Sequence, residues 1–342
     1  MLSWLELRQF RCFERARVEF APGRNCIVGP NARGKTSLLE AACVLLRLLS
    51  PRATTLGQAI RFGQKSFALE GQWNASHCQY VYSAMRRKLV LDAVEQRRAN
   101  EYLQVARVVW FGNDDLDLIR GGSDLRRRFL DFAIAQVRPV YRVHLRAYEK
   151  ALRSRNALLK QGGRPREVAA YNGPLINAGV ELRKARMALI DRLAGPAETA
   201  NQGVSGTEQG LKLAYRDGAG EDFAVALAES AHEENRLRQT VVGPHRDDLL
   251  LSLDGKAVAT FGSEGQQRTA ALALKLGQAE LLAENQDEPP LLLIDDIFGE
   301  LDVGRRNRLL GLLPPGGQQI ITTTHLDWME GIEARILEIE QL

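Results

Sequence analysis

Two short patterns at opposite ends of this chain constrain its fold more than anything between them. Residues 29–36 read Gly-Pro-Asn-Ala-Arg-Gly-Lys-Thr, a G-x-x-x-x-G-K-T loop. Asn25-Cys-Ile-Val28 before it is an apolar run of strand type, and the ten residues from Ser37 onward have helical character. In that setting, the loop N–H groups and the positive helix end suit a triphosphate. The candidate ATP-binding set is Gly29, Pro30, Asn31, Ala32, Arg33, Gly34, Lys35, Thr36 and Ser37. Lys35 would pair with the β and γ phosphates, and the Thr36 hydroxyl would bind Mg²⁺. The second pattern is Leu291-Leu-Leu-Ile-Asp295-Asp296, an apolar strand ending in two acids. Asp295 is expected to hold the metal through water, and Asp296 to orient or deprotonate the attacking water. The patterns lie roughly 260 positions apart. A compact nucleotide kinase keeps them far closer. One α/β nucleotide-binding domain must therefore be divided by a large insertion, and its two ends must fold together.

The length of 342 residues allows a head with an inserted domain. The fold expected is an α/β head built from both chain ends, residues 1–120 plus 240–342. An antiparallel β lobe over about 60–110 and a helical arm over 121–239 are inserted in it. Period-two alternation between Ser66 and Gln96 carries the lobe. Leu125, Phe129, Phe132, Val137, Leu145, Tyr148 and Leu152 mark the first amphipathic stretch of the arm, bent at Pro139. A second helical run spans 168–193, interrupted near Gly173-Pro174, and a third spans 222–238. Residues 200–210 read as a linker, Ala257-Val-Ala-Thr as the return strand of a hairpin, and 269–284 as a helix.

No apolar run approaches the ~20 residues that cross a bilayer, so no membrane partner is expected. The N-terminus has no signal-peptide layout. Cys12, Cys26, Cys43 and Cys78 show no C-x-x-C spacing and sit in apolar contexts, as reduced core thiols would. A cytoplasmic protein follows from these features. The net charge of +4 is unevenly distributed. Residues 120–167 hold thirteen Lys or Arg against four Asp or Glu, a local +9 that leaves −5 for the rest. A solvated helix face and a polyanion partner both fit that pattern. The excess of Arg over Lys suits phosphate. The DNA-contact candidates are Arg126, Arg127, Arg128, Arg146, Lys150 and Arg153.

Three further segments narrow the class. Ser263-Glu-Gly265-Gln266 resembles the S-G-G-Q signature of ABC-type ATPases, which contacts the γ-phosphate held by an opposite subunit. Gly299-Glu-Leu-Asp302 resembles the loop that crosses the dimer interface there, and Thr324-His325 the switch histidine. The ordered set P-loop, signature, paired acids, Leu-Asp and Thr-His is far more specific than any member.

Several local matches then resemble the RecF family of bacterial recombination-mediator ATPases, related to the SMC proteins. They are Leu7-Arg-Gln-Phe-Arg11, Arg126-Arg127 with Phe129-Leu-Asp131, Gly243-Pro-His-Arg-Asp-Asp248, Gly265-Gln-Gln-Arg-Thr-Ala270, and residues 291–302. They run through nearly the whole chain, and the segment 243–248 is the most specific. For that segment a hydrogen-bonded turn and a direct DNA or nucleotide contact stand level. The sequence departs from the family at Ala32-Arg33, at Phe111-Gly-Asn-Asp-Asp-Leu116 and at Tyr171-Asn172.

The resemblance implies an ATP- and Mg²⁺-dependent homodimer that clamps gapped or junction DNA. It would hydrolyse ATP slowly, with DNA stimulation, for release, and assist RecA loading with RecR and in some settings RecO. Lys35, Asp296 and His325 would form the catalytic set, Thr36 and Asp295 would hold the metal, and Ser263, Gly265, Gln266 and Asp302 would act in trans. The alternatives are another ABC-type ATPase, such as a transporter's nucleotide-binding subunit, and a P-loop small-molecule kinase.

Overall fold

A computed structural model describes residues 1–284, 288–329 and 331–341. The strands in chain order are β1 (Leu2–Phe10), β2 (Phe13–Glu19), β3 (Arg24–Val28), β4 (Ser66–Trp73), β5 (Ser76–Ser83), β6 (Arg87–Leu91), β7 (Val94–Glu95) and β8 (Val108–Phe111). After a long helical stretch come β9 (Leu211–Arg216), β10 (Asp248–Leu253), β11 (Lys256–Ala257), β12 (Leu291–Asp295), β13 (Gln319–Thr323) and β14 (Arg335–Glu338).

The chain divides into two compact units. The first comprises Met1–Asp115, Gly203–Gly206 and Lys275–Leu342; the second comprises Leu116–Gln202 and Thr207–Leu274. The first holds two sheets. One is antiparallel, in the order β2-β1-β4-β5-β6-β7, and the other is parallel, in the order β14-β3-β13-β12-β8. Leu291, Leu292, Leu293 and Ile294 of β12 are fully buried, which explains their unbroken apolar run. The helix Lys35–Arg47 touches strands of both sheets. Its eight residues Leu38, Leu39, Ala41, Ala42, Cys43, Val44, Leu45 and Leu46 are all buried, as a helix apolar all round requires.

The antiparallel lobe differs from the expected 60–110. β1 and β2 belong to it, because β1 pairs with β4 from Leu2 to Arg8. Val108–Phe111 leaves it and lies beside β12 in the parallel sheet. Cys26, Cys43 and Cys78 are buried thiols, but Cys12 is exposed in the β1–β2 turn, so the expectation of four core thiols fails at that position.

The second unit carries the antiparallel sheet β11-β10-β9 and most of the helices. Its limits differ from 121–239, since residues 240–274 fall in it. The reason is local: β10 pairs with β9 over its whole length, from Asp248↔Arg216 to Leu253↔Leu211. Pro139 does more than bend a helix. Ser123–Val137 ends before it and Tyr141–Gln161 begins after it. Arg138, directly before the proline, takes an extended φ of −134° because the ring disfavours the helical conformation there. The second helical run is interrupted close to Gly173-Pro174, where the short helix Pro165–Ala169 ends and the helix Asn172–Ser205 begins. Pro174 itself sits in the first turn of the longer helix, where a missing N–H is harmless. That helix also runs through most of the expected linker. Ala257-Val-Ala-Thr is strand only to Ala257, and Val258–Phe261 is a helical turn.

Candidate nucleotide site

The parallel order places β13 between β3, which carries the loop, and β12, which carries the acids. The loop is shaped by backbone that few side chains tolerate. Gly34 has φ +98°, and a Cβ there would lie 2.7 Å from Cζ of Phe13 and 2.8 Å from Sγ of Cys12. Ala32 holds φ +64°, a left-handed conformation costing a non-glycine residue about 1–2 kcal/mol. Arg33 is exposed, with Nε 3.9 Å from Glu340 Oε1.

Lys35 Nζ donates to the carbonyls of Gly29 at 2.6 Å and Pro30 at 2.9 Å, at the mouth of the loop. Burial lowers its pKa, while the charges of Asp296 and Asp295 oppose that shift. Thr36 Oγ1 donates to Asp295 Oδ1 at 2.8 Å, so residues 259 positions apart meet directly. A second hydroxyl, Thr322 Oγ1, donates to the same carboxylate oxygen at 2.8 Å. Burial raises the Asp295 pKa against the hydrogen bonds of Thr322 and Thr36.

Asp296 has φ +51°. Its N–H donates to the Thr322 carbonyl at 3.2 Å and to Thr322 Oγ1 at 3.1 Å, which together hold the left-handed turn. Burial is the largest cause of its raised pKa. Lys35 and His325 work against it, and Asp295 and Glu300 add to it. His325 itself is exposed, with Nδ1 2.7 Å from Thr324 Oγ1. Asp302 is the N-cap of the helix Val303–Leu312, its Oδ1 accepting from Arg305 N at 2.9 Å.

Thr322 and Glu300 were not among the sequence candidates. Glu300 accepts from Asn113 Nδ2 at 2.6 Å.

In the second unit, Ser263 and Gln266 form a reciprocal cap at the start of the helix Glu264–Ala283. Gln266 N donates to Ser263 Oγ at 3.3 Å, and Ser263 N donates to Gln266 Oε1 at 2.8 Å. Ser263 is exposed, and Gly265 lies in the first helical turn. Gln267 fastens the preceding loop, donating to the carbonyls of Val258, Ala259 and Gly262.

The segment 243–248 is a hydrogen-bonded turn tied into the same unit. Asp247 is fully buried, accepting from Arg186 Nη1 at 2.8 Å and Gly218 N at 3.0 Å. Arg186 also pairs with Asp131 at 2.9 Å. His245 Nδ1 lies 2.7 Å from Tyr148 Oη, and its Nε2 lies 3.0 Å from the Thr240 carbonyl. Asp248 takes a two-pronged bond from Arg126, at 2.6 and 3.0 Å.

Arg126 and Arg127 therefore do not fit the role of DNA contacts. Arg126 is committed to Asp248, while Arg127 donates to Ser123 Oγ at 2.7 Å and the Asp247 carbonyl at 2.8 Å. Arg155, part of the basic segment, is buried against Glu234 at 2.6 Å. Arg128, Arg146, Lys150 and Arg153 are exposed.

A family model described as an AAA domain matches residues 5–89. The DNA replication and repair protein RecF of Halalkalibacterium halodurans is 35% identical over 359 residues, covering 98% of this chain and 97% of that protein. The protein of the same name from Nostoc punctiforme is 37% identical over 347 residues, covering 95% and 93%. The chain belongs to the RecF family.

A solved structure of the recombination mediator protein RecF with ATP, in the RecFOR pathway, is similar to it at a TM-score of 0.87. The identity is 29%, covering 95% of this chain and 92% of that one. A structure of an Smc head bound to the C-terminal winged-helix domain of ScpA has a TM-score of 0.56 at 15% identity, which shows a shared fold with this RecF-family chain.

Proposed function

We propose that the chain is an ATP-dependent DNA clamp of recombinational repair and replication restart, working as a homodimer formed on ATP. The observation that carries this reading is the 2.8 Å bond between Thr36 and Asp295, which joins the loop to the acids. The ATP-bound RecF structure at TM-score 0.87 supports ATP as the nucleotide. Lys35 would sit against the β and γ phosphates. Asp296, its carboxyl pushed up by burial beside a second acid, would orient the attacking water and take its proton. His325 would sense the γ-phosphate.

Thr36 and Asp295 fit Mg²⁺, since both offer hard oxygens at one point. Mg²⁺ keeps several waters and takes substrate phosphates as ligands, so one hydroxyl and one carboxylate suffice from the protein. Bound there, Mg²⁺ would offset phosphate charge.

Ser263 and Gly265, at an exposed helix N-terminus, would contact the γ-phosphate bound to a second copy, with Gln266 and Asp302 completing that trans contact. Arg128, Arg146, Lys150 and Arg153 are the remaining arm candidates for DNA phosphates. Slow, DNA-stimulated hydrolysis would release the clamp, with RecR and RecO as partners in RecA loading. Among the described residues no helix is long and apolar enough to cross a membrane.

Sedimentation of the Asp296→Asn protein with ATP and Mg²⁺, with and without gapped DNA, tests the reading. A stable dimer is expected. Ser263→Arg should still bind ATP as a monomer and fail to dimerise. Dimerisation of Ser263→Arg would remove the trans role, and an Asp296→Asn protein that stays monomeric on ATP would sink the clamp.

A further inference from the structure

One end of the antiparallel sheet carries a surface that the nucleotide site does not use. Ser66 pairs with Ser83, so the turn before β4 and the turn joining β5 to β6 close the same end. The first turn reads Arg61-Phe-Gly-Gln-Lys65, and the second reads Ser83-Ala-Met-Arg-Arg-Lys88. Together they hold five cations and no acid. At their tips stand the two most exposed large apolar side chains among the described residues, Phe62 at 102% and Met85 at 96%.

Both turns are built rather than loose. Ser83 N donates to the Arg86 carbonyl at 2.8 Å, Arg61 N donates to the Gln9 carbonyl at 2.9 Å, and Gly63 supplies a φ of +82°. Two acids from neighbouring strands reach the cluster: Glu14 lies 3.3 Å from Arg61 and Glu95 lies 3.7 Å from Arg86. Arg87 lies over the Tyr82 ring at 5.3 Å. The local charge stays positive.

An exposed aromatic ring in a field of cations has a specific chemical complement. The partner must bring negative charge and flat apolar faces together. Protein surfaces seldom offer both, whereas unpaired nucleotides present a phosphate and a base face at every step. A fully paired duplex hides its base faces. We propose that this tip is a contact for single-stranded DNA, with Phe62 stacking on a base, Met85 packing beside it, and Lys65, Arg87 and Lys88 taking phosphates. The proposal rests on the DNA-clamp reading and adds to it the element that would distinguish a gap from continuous duplex.

The test compares wild type with the double variant Phe62→Ala/Met85→Ala, with ATP and Mg²⁺ present. The probes are fluorescent oligothymidylate, a gapped duplex and a blunt duplex of equal length. Both side chains stand in solvent, so ATP binding should be unchanged. Affinity for oligothymidylate and for the gapped duplex should fall about tenfold, in the range of losing one or two stacked bases, and affinity for the blunt duplex should hold. Phe62→Trp should keep wild-type affinity, with its added indole emission quenched by oligothymidylate. Unchanged affinity of the double variant for all three probes would overturn the proposal and assign the tip to a protein surface. An equal loss on the blunt duplex would overturn base stacking. If wild type binds no DNA of any kind, the clamp reading falls, and this proposal with it.

Discussion

Thr322 joins the two acids of the nucleotide site through one hydroxyl, which gives its O–H to Asp295 and receives the N–H of Asp296. It is fully buried, so no water replaces it. Thr322→Val keeps the shape and removes both bonds. The expected result is a fall in ATP hydrolysis of about fivefold to a hundredfold, from roughly 1–3 kcal/mol of lost positioning, while ATP binding is retained. Thr322→Ser should restore most of the rate. A valine variant hydrolysing at the wild-type rate would show that the hydroxyl does not position the acids. The loop and the paired acids were readable from sequence because phosphate and metal chemistry restrict residue type and spacing together. Thr322 was not, because its role depends on which strand lies between β3 and β12, and nothing in the local sequence records that neighbour. Ala32 shows the same limit: its letter reads as a departure, and only the backbone reveals that it bears a left-handed turn.

The turn at residues 243–248 is a small element with a large share of the buried charge in its unit. Burial is the main cause that lowers the His245 pKa from 6.5 to about 4. The folded protein therefore refuses a proton that the unfolded chain accepts near 6.5. The stability due to neutral His245 is complete above that value and is lost as pH falls from about 6.5 towards 4, by at most about 3 kcal/mol. Denaturant unfolding at pH 7.5 and pH 5 should show a steeper loss in wild type than in His245→Asn. Equal losses would mean that the imidazole takes up its proton without disturbing the fold. Asp247, its pKa raised by burial, acts in the opposite sense, which is why the comparison between the two proteins carries the result. Sequence alone left this turn level with a DNA contact, since charged residues in a row look alike whether they face water or one another. The helices show a related lesson. Pro139 and Pro174 carry the same steric restriction, yet one separates two helices and the other starts one. What decides is position within the turn.

For the chain as a whole, charge is the property that sequence overstated. Arg126, Arg127 and Arg155 of the basic segment are held within the fold, whereas Arg146, Lys150 and Arg153 lie exposed on the helix Tyr141–Gln161 at spacings of one and two turns. If these three meet phosphates, Ala substitution of all three should flatten the salt dependence of duplex binding by up to about 3 in log–log slope. An unchanged slope would remove the helix from the DNA surface. The division of the chain was legible in outline, because distant halves of one site demand an insertion. Its limits were not, because the pairing of β9 with β10 draws residues 240–274 into the second unit, and no composition change marks that pairing.

The strand order β14-β3-β13 has a consequence in time. Both partners of β3 come from far later in the chain, Gln319 to Glu338. During synthesis at roughly 5–20 residues per second, the loop strand waits about 15–60 s for either neighbour. The loop can be emitted early, but its sheet can be assembled only once residues 319–338 have been made. A chain ended before Gln319 thus carries the motif without either neighbour of the loop strand, and nucleotide binding becomes a mark that synthesis has passed that point.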